Sequence, residues 1–309
     1  MIANSLPKLM FVCALEPKAL RALFEDRFVL DDLKSLGAGA ALVVRDFSDE
    51  RAQAVRLLNK LGIPVSAWLL LPGEQGSWLD PTHAAQAAEL YQALKRWSGQ
   101  KGLRWSAVGF GVSEKYANGL GKEAALDSLI ERAHADGFAV ELVNFLLEQQ
   151  AIRKKPLVAR KKAALDWPDA ERFIWLRPCD SGAQDGLLGS AADGKGVARV
   201  VSTHKSLNLG ASAAEEPKTW QEFAQEVRAA RQKSSAVYVF TLEACAKQGF
   251  LDRLVTLDWS GQAQSGSELT SRAMLTPRGV LNRKRWLGFA ALAGFVGSAL
   301  LIAKKKRKT

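Results

Sequence analysis

Cysteine and histidine are scarce in this 309-residue chain, at three residues each, and their placement excludes more than their number does. Cys13, Cys179 and Cys245 are odd in number and far apart. A disulfide scaffold is therefore not expected, and a reducing compartment is favoured. His83, His134 and His204 stand alone, with no His-x-His or Cys-x-x-Cys spacing, so no metal site is expected. Nucleotide motifs are incomplete. Gly189-Ser-Ala-Ala-Asp-Gly-Lys195 is followed by Gly196 where a phosphate-binding loop needs Ser or Thr, and by a strand pattern instead of a helix. Gly109-x-Gly111 lacks the third glycine of a dinucleotide fingerprint, and no serine sits in Gly-x-Ser-x-Gly. No cofactor is expected.

Acidic residues are absent from Arg272 onward, where ten of the 43 Lys and Arg residues lie. Over positions 1 to 271 this leaves 33 basic residues against 32 acidic ones, a net charge of +1, although the whole chain carries +11. The basic balance belongs to the C-terminal tail. A broad phosphate-binding surface on the rest is excluded, and with it nucleic acid as a partner.

Long apolar runs are also lacking, with one exception. Leu9 to Leu15 is short, ends at Glu16-Pro17 and has no small-residue cleavage site, so it reads as a buried first strand and not as a secretion signal. The exception, Trp286 to Ala303, has no charge and no proline over 18 residues. At a rise of about 1.5 Å per residue it spans roughly 27 Å, close to the ~30 Å hydrocarbon core of a bilayer. Its Leu, Ile, Phe and Val residues supply roughly −2 to −5 kcal/mol toward insertion. Arg283-Lys-Arg285 and Lys304-Lys-Lys-Arg-Lys308 bracket it. The expectation is a single-pass C-terminal anchor whose partner is the lipid bilayer. Basic clusters on both sides leave orientation balanced, and a domain on the cytoplasmic face is preferred. Ala290, Gly294 and Ser298 form a small-xxx-small face through which a second copy could pair.

Ahead of the anchor, apolar runs alternate with amphipathic helical stretches. The runs cover 9–15, 40–46, 64–71, 105–113, 138–145, 172–178, 197–203 and 236–243. The helical patterns cover 17–36, 49–61, 82–97, 121–136 and 217–233. Pro17 suits a first helical turn, Gly37, Gly62 and Gly137 suit helix ends, and Asp49 and Asp80 suit N-terminal caps. Eight candidate strands alternating with helical stretches in this length predict a (β/α)8 TIM-barrel-like domain over 1–262, with an open doubly wound sheet as the alternative. A flexible basic linker (263–285), the transmembrane helix (286–303) and a basic tail (304–309) complete the chain. Two basic groups, Arg153-Lys-Lys155 and Arg160-Lys-Lys162, interrupt the fifth repeat.

Catalytic groups in such barrels sit at the C-terminal strand ends. The fourth run, Trp105-Ser-Ala-Val-Gly-Phe-Gly-Val-Ser-Glu114, places Glu114 there. The domain resembles the barrels of glycoside hydrolases, particularly the chitinase-like group, whose fourth strand ends in Asp-x-x-Asp-x-Asp-x-Glu. Glu114 matches the final Glu, while Ala107, Phe110 and Val112 stand at the three Asp positions. The resemblance implies a carbohydrate ligand and an acid role for Glu114. Strand alternation divides this stretch into a small face (Ala107, Gly109, Gly111, Ser113) and a bulky one (Val108, Phe110, Val112, Glu114), so Glu114 points away from the interior if the bulky face meets the helices, unless it lies past the strand end. If the bulky face meets the helices, the small face leaves interior room for a ligand or for a large residue of a neighbouring strand.

Glu243, at the end of the eighth run, is the second carboxylate of a candidate catalytic pair with Glu114. Arg45, Asp46, Asn144, Arg177, Asp180 and His204 are strand-end candidates for ligand binding, with aromatic stacking from Trp68 or Trp259. Two functions follow as expectations. One is a membrane-anchored, glycoside-hydrolase-like barrel acting on or binding a carbohydrate; the other is a non-catalytic, membrane-tethered ligand-binding or protein-interaction module built on the same barrel.

Overall fold

The computed structural model describes residues 8–70, 83–112, 124–145, 172–176, 197–205 and 216–259. All eight expected strands are present: β1 (Leu9–Cys13), β2 (Gly39–Val44), β3 (Val65–Leu69), β4 (Ala107–Val112), β5 (Ala139–Phe145), β6 (Arg172–Leu176), β7 (Val197–Ser202) and β8 (Val237–Phe240). Each pairs in parallel with its neighbour in sequence, and β8 returns to β1 through Leu9↔Val237 to Val12↔Phe240. That last ladder closes the barrel and rules out the open-sheet alternative, in which two edge strands would remain.

The helices follow local chemistry. Pro17 opens α1 (Pro17–Glu25), where a missing N–H costs nothing. The expected single helix over 17–36 is in fact two. At Asp26 the backbone turns extended, and its carboxylate accepts from the Phe28 N–H to cap α2 (Arg27–Ser35). α3 (Asp49–Lys60) is capped by Ser48, whose hydroxyl accepts from the Arg51 N–H; Asp49, expected as the cap, occupies the first turn instead. α4 (Ala84–Lys101) and α5 (Ala124–Ala135) follow β3 and β4. α6 (Trp220–Lys233) opens with a reciprocal capping box between Thr219 and Glu222. Two short helices, α7 (Leu242–Gln248) and α8 (Phe250–Val255), follow β8. Gly37, Gly62 and Gly137 end their helices at φ of 56°, 70° and 86°, as expected of left-handed caps.

Strand alternation separates two apolar layers. The outer layer packs Phe11, Leu42, Val108, Phe110, Leu142 and Val239 against helix residues such as Leu20, Leu23, Val55, Tyr91, Phe223 and Leu254. The inner layer fills the barrel with Met10, Val12, Val43, Trp68, Val143, Ile174, Tyr238 and Phe240. On β4 the bulky face does turn to the helices. Gly109 faces inward, and the room it leaves is taken by the Trp68 indole. A Cβ on Gly109 would lie 2.3 Å from Trp68 Cδ1.

Among the described residues no helix is long and apolar enough to cross a membrane. The expected linker, span and tail lie outside the described residues.

Candidate functional site

The polar centre of the barrel is Glu141, the third residue of β5, fully buried in the run Ala139-Val-Glu-Leu-Val143. Trp68, Gly109 and Glu141 share one level across β3, β4 and β5. Because Gly109 has no side chain, the indole passes over β4, and Trp68 Nε1 donates to Glu141 Oε2 at 2.7 Å. The Ser66 hydroxyl donates to Oε1 at 3.1 Å, and the Tyr238 hydroxyl donates to the same oxygen at 2.6 Å. Arg172, level with Glu141 on β6, donates from Nη1 to the Tyr238 oxygen at 3.1 Å and lies 4.0 Å from Glu141 Oε1. The Trp68 and Tyr238 rings stack, with centroids 5.7 Å apart.

Burial pushes the Glu141 carboxyl up from its ordinary range, while Tyr238, Trp68, Arg172 and Ser66 act in the opposite sense. All three hydrogen-bonding neighbours donate, which suits a carboxylate. Burial also pushes the Tyr238 phenol well up, and the Glu141 charge adds to that. The network binds β3, β5, β6 and β8 to one another through the barrel axis. With both oxygens accepting hydrogen bonds and no solvent exposure, Glu141 has no open geometry for proton exchange with a substrate. Its sequence signal, a charge inside an otherwise apolar strand, is legible. Its partners are not, because they come from three other strands.

The expected site residues are dispersed around this centre. Arg45 is exposed directly after β2. Asp46 accepts from Arg51 Nη2 at 2.7 Å and from the Ser48 N–H at 3.1 Å. Burial raises its carboxyl, but these hydrogen bonds and the Arg51 charge outweigh that and hold it below its ordinary value. Arg51 is itself buried in α3 and caps the Val43 carbonyl, so Asp46 serves the junction of β2 and α3. Trp68 lies inside the barrel as part of the Glu141 network. Trp259 packs against the outer layer beneath the Arg231 guanidinium, 4.3 Å from its ring centroid. The two tryptophans therefore belong to opposite sides of the barrel wall.

Glu243 stands in the first turn of α7. Its carboxylate meets its own backbone N–H, the hydroxyl of Thr241 and the thiol of Cys13, which belongs to the outer layer. Oε2 is sealed from solvent without a hydrogen-bond partner. Burial pushes the Glu243 carboxyl up, and burial with the Glu243 charge pushes the Cys13 thiol well up. His204 is half-buried just past β7. Asn144 occupies β5 opposite Val112 and Trp175. Glu114, Arg177 and Asp180 lie outside the described residues. Among the described residues no three His, Cys, Asp or Glu side chains cluster as a metal site would require.

No protein-family model matches the sequence, and no curated protein matches it. Solved structures with a similar fold include a chitinase from Chromobacterium violaceum, at 10% identity and a TM-score of 0.49, covering 81% of this chain and 99% of that one. A family-18 glycoside hydrolase chitinase from Flavobacterium johnsoniae matches at 8% identity and 0.46, covering 77% and 89%. A D-allulose 3-epimerase from a Methylomonas species matches at 15% and 0.44, covering 76% and 85%. At these identities the likeness concerns the fold alone.

Proposed function

We propose that this chain is a membrane-tethered (β/α)8 barrel that binds a carbohydrate at the C-terminal ends of its strands without hydrolysing it. The observation that carries this reading is the position of Glu243. Glycoside hydrolysis by a carboxylate pair needs both groups in one cleft, about 5–10 Å apart. Glu243 turns its carboxylate to Cys13 in the helix layer, where Oε2 is closed to solvent. Glu141, facing the interior, is committed to its three donors.

What supports a carbohydrate is the mixture of groups at the strand ends. Arg45 is exposed, and His204 lies half-buried beside hydroxyls. The near-neutral charge of positions 1 to 271 suits an uncharged polyhydroxylated ligand better than a polyphosphate. Glu114 is the one residue of the chitinase-like fourth-strand pattern that this sequence keeps. Trp286 to Ala303 is the tether, with its flanking basic clusters at the lipid surface and its small-residue face open to a second copy.

The test uses the full chain in detergent micelles against soluble oligosaccharides, read by calorimetry, with aryl-glycosides as turnover probes. Saturable binding without turnover is expected. Turnover that Glu114→Gln or Glu243→Gln abolishes, with the melting temperature unchanged, would establish the hydrolase instead. A chain cut after residue 262 should leave the membrane fraction. Its retention under alkaline carbonate would remove the tether.

A further inference from the structure

The turn that leaves β7 carries an ordered chain of hydrogen bonds that bears on one imidazole. Thr203 is fully buried, and its backbone N–H donates to the Phe240 carbonyl at 2.8 Å. Its hydroxyl lies 3.0 Å from that same carbonyl oxygen and 3.0 Å from His204 Nδ1. A hydroxyl has one hydrogen. The carbonyl can only accept, so a contact at that distance requires the Thr203 hydrogen to point at it. The remaining contact is then satisfied only if His204 Nδ1 carries a hydrogen and donates to Thr203 Oγ1. Both contacts therefore require a hydrogen on Nδ1, which in the neutral ring means the Nδ1–H tautomer.

The backbone around His204 is pinned as well. The His204 N–H donates to Ser202 Oγ at 3.1 Å, and Lys218 N donates to the Thr203 carbonyl at 3.0 Å. His204 bridges to Pro217, Lys205 N donates to the Glu216 carbonyl, and the Lys205 ammonium pairs with the Glu216 carboxylate. Residues on either side of 206–215 are thus tied together at the C-terminal end of β7. That is the end of the barrel where ligands of this fold bind.

We propose that Thr203 locks His204 in the tautomer with its hydrogen on Nδ1, so that Nε2 keeps its lone pair and accepts a hydrogen bond from a ligand hydroxyl at the mouth of the barrel. The ligand half of this inference rests on the carbohydrate reading above; the tautomer half stands on the turn alone. The imidazole ring nitrogens are chemically distinct, and the bond made by one decides what the other offers. A neutral imidazole held this way is a hydrogen-bond acceptor with a fixed direction. It selects a hydroxyl donor and disfavours a carbonyl or a carboxylate.

The experiment is nitrogen-15 NMR of histidine-labelled full chain in micelles, at a pH where imidazoles are neutral, with the His204 signals identified by their loss in His204→Gln. The wild type should show the Nδ1–H tautomer. Thr203→Val should revert to the Nε2–H form that a free histidine side chain prefers, and Thr203→Ser should keep the wild-type pattern. An Nε2–H signal in the wild type, or a tautomer unaffected by Thr203→Val, overturns the lock. N-acetylglucosamine pentamer and cellopentaose then serve as probes. The one that binds by calorimetry should shift the Nε2 resonance, and His204→Ala should weaken it roughly tenfold. Binding that leaves Nε2 unmoved overturns the ligand role of His204 while sparing the carbohydrate reading. No binding by either probe overturns the ligand role too, with failure of the carbohydrate reading as its cause, and is told apart because the tautomer is read without ligand.

Discussion

Two glutamates are sequestered in this barrel, and their surroundings differ in one respect that decides what each can do. Glu141, inside the strands, receives hydrogen bonds from Ser66, Trp68 and Tyr238 and stands 4.0 Å from the Arg172 guanidinium. Glu243, outside the strands, meets its own backbone N–H, a hydroxyl and a thiol, and Oε2 has no hydrogen-bond partner. Burial raises both carboxyls. In Glu141 the donors act against that effect as a balanced network. In Glu243 they offset less of the polar surface, since a thiol is a weak donor. A buried charge is tolerable where its partners are complete. The comparison therefore marks Glu141 as a tie across the barrel and Glu243 as a weakly supported carboxyl in the helix layer.

The largest expected effect follows from breaking the satisfied site. Glu141→Leu removes the shared acceptor of Ser66, Trp68 and Tyr238 and the carboxylate 4.0 Å from Arg172 Nη1, and should cost roughly 3–5 kcal/mol in urea denaturation. A loss under about 1 kcal/mol would mean that the network contributes little net stability, and the contrast with Glu243 would vanish. Next comes Gly109→Ala. Its methyl would meet the indole at 2.3 Å, so Trp68 must move and release Glu141 Oε2. The combined overpacking and lost hydrogen bond should cost roughly 2–4 kcal/mol and shift the tryptophan fluorescence. Glu141→Gln and Trp68→Phe combined in a double-mutant cycle would sharpen this further, because residues sharing a hydrogen bond should not act additively.

The smallest effect belongs to Glu243→Gln. A carboxyl raised by folding binds its proton more tightly folded than unfolded. Stability therefore falls as pH climbs from the unfolded carboxylate range through the raised folded value, and stays level above it. Glutamine removes that dependence. The variant should match the wild type within about 1 kcal/mol in acid and gain on it as pH rises. A variant that loses ground at high pH would show that the Glu243 carboxylate is well supported after all.

Much of the fold was legible. The eight strands followed from the spacing of apolar runs, although their closure was settled only by the ladder from β8 to β1, and Gly37, Gly62 and Gly137 marked helix ends because few other residues adopt a positive φ. The break between α1 and α2 was hidden, since Asp26 caps a helix inside what reads as one amphipathic period. The two faces of β4 were also readable from alternation. What filled the gap over Gly109 was not, because the indole comes from a strand about forty residues earlier, set beside β4 by pairing alone.

The sites divide along the same line. Residues were chosen as strand-end polar groups, and strand ends follow from local pattern. Which side of the wall a group faces beyond the last paired residue does not. Glu243 left the strand pattern for the first turn of α7, and that turn carried its carboxylate toward Cys13. Trp68, expected to stack on a ligand, is interior packing that also donates a hydrogen bond to Glu141.

By itself the sequence determined the number of strands, their alternation with helices, the confinement of excess charge to the C-terminal region and the single run long and apolar enough for a bilayer, because each depends on periodicity or composition over a short window. Only the tertiary structure decided which carboxylate is satisfied and which is not. The hydrogen-bond partners Ser66, Trp68 and Tyr238 and the neighbouring cation Arg172 lie between 31 and 97 residues from Glu141, and they meet only when the ladder from β8 to β1 closes the barrel around them.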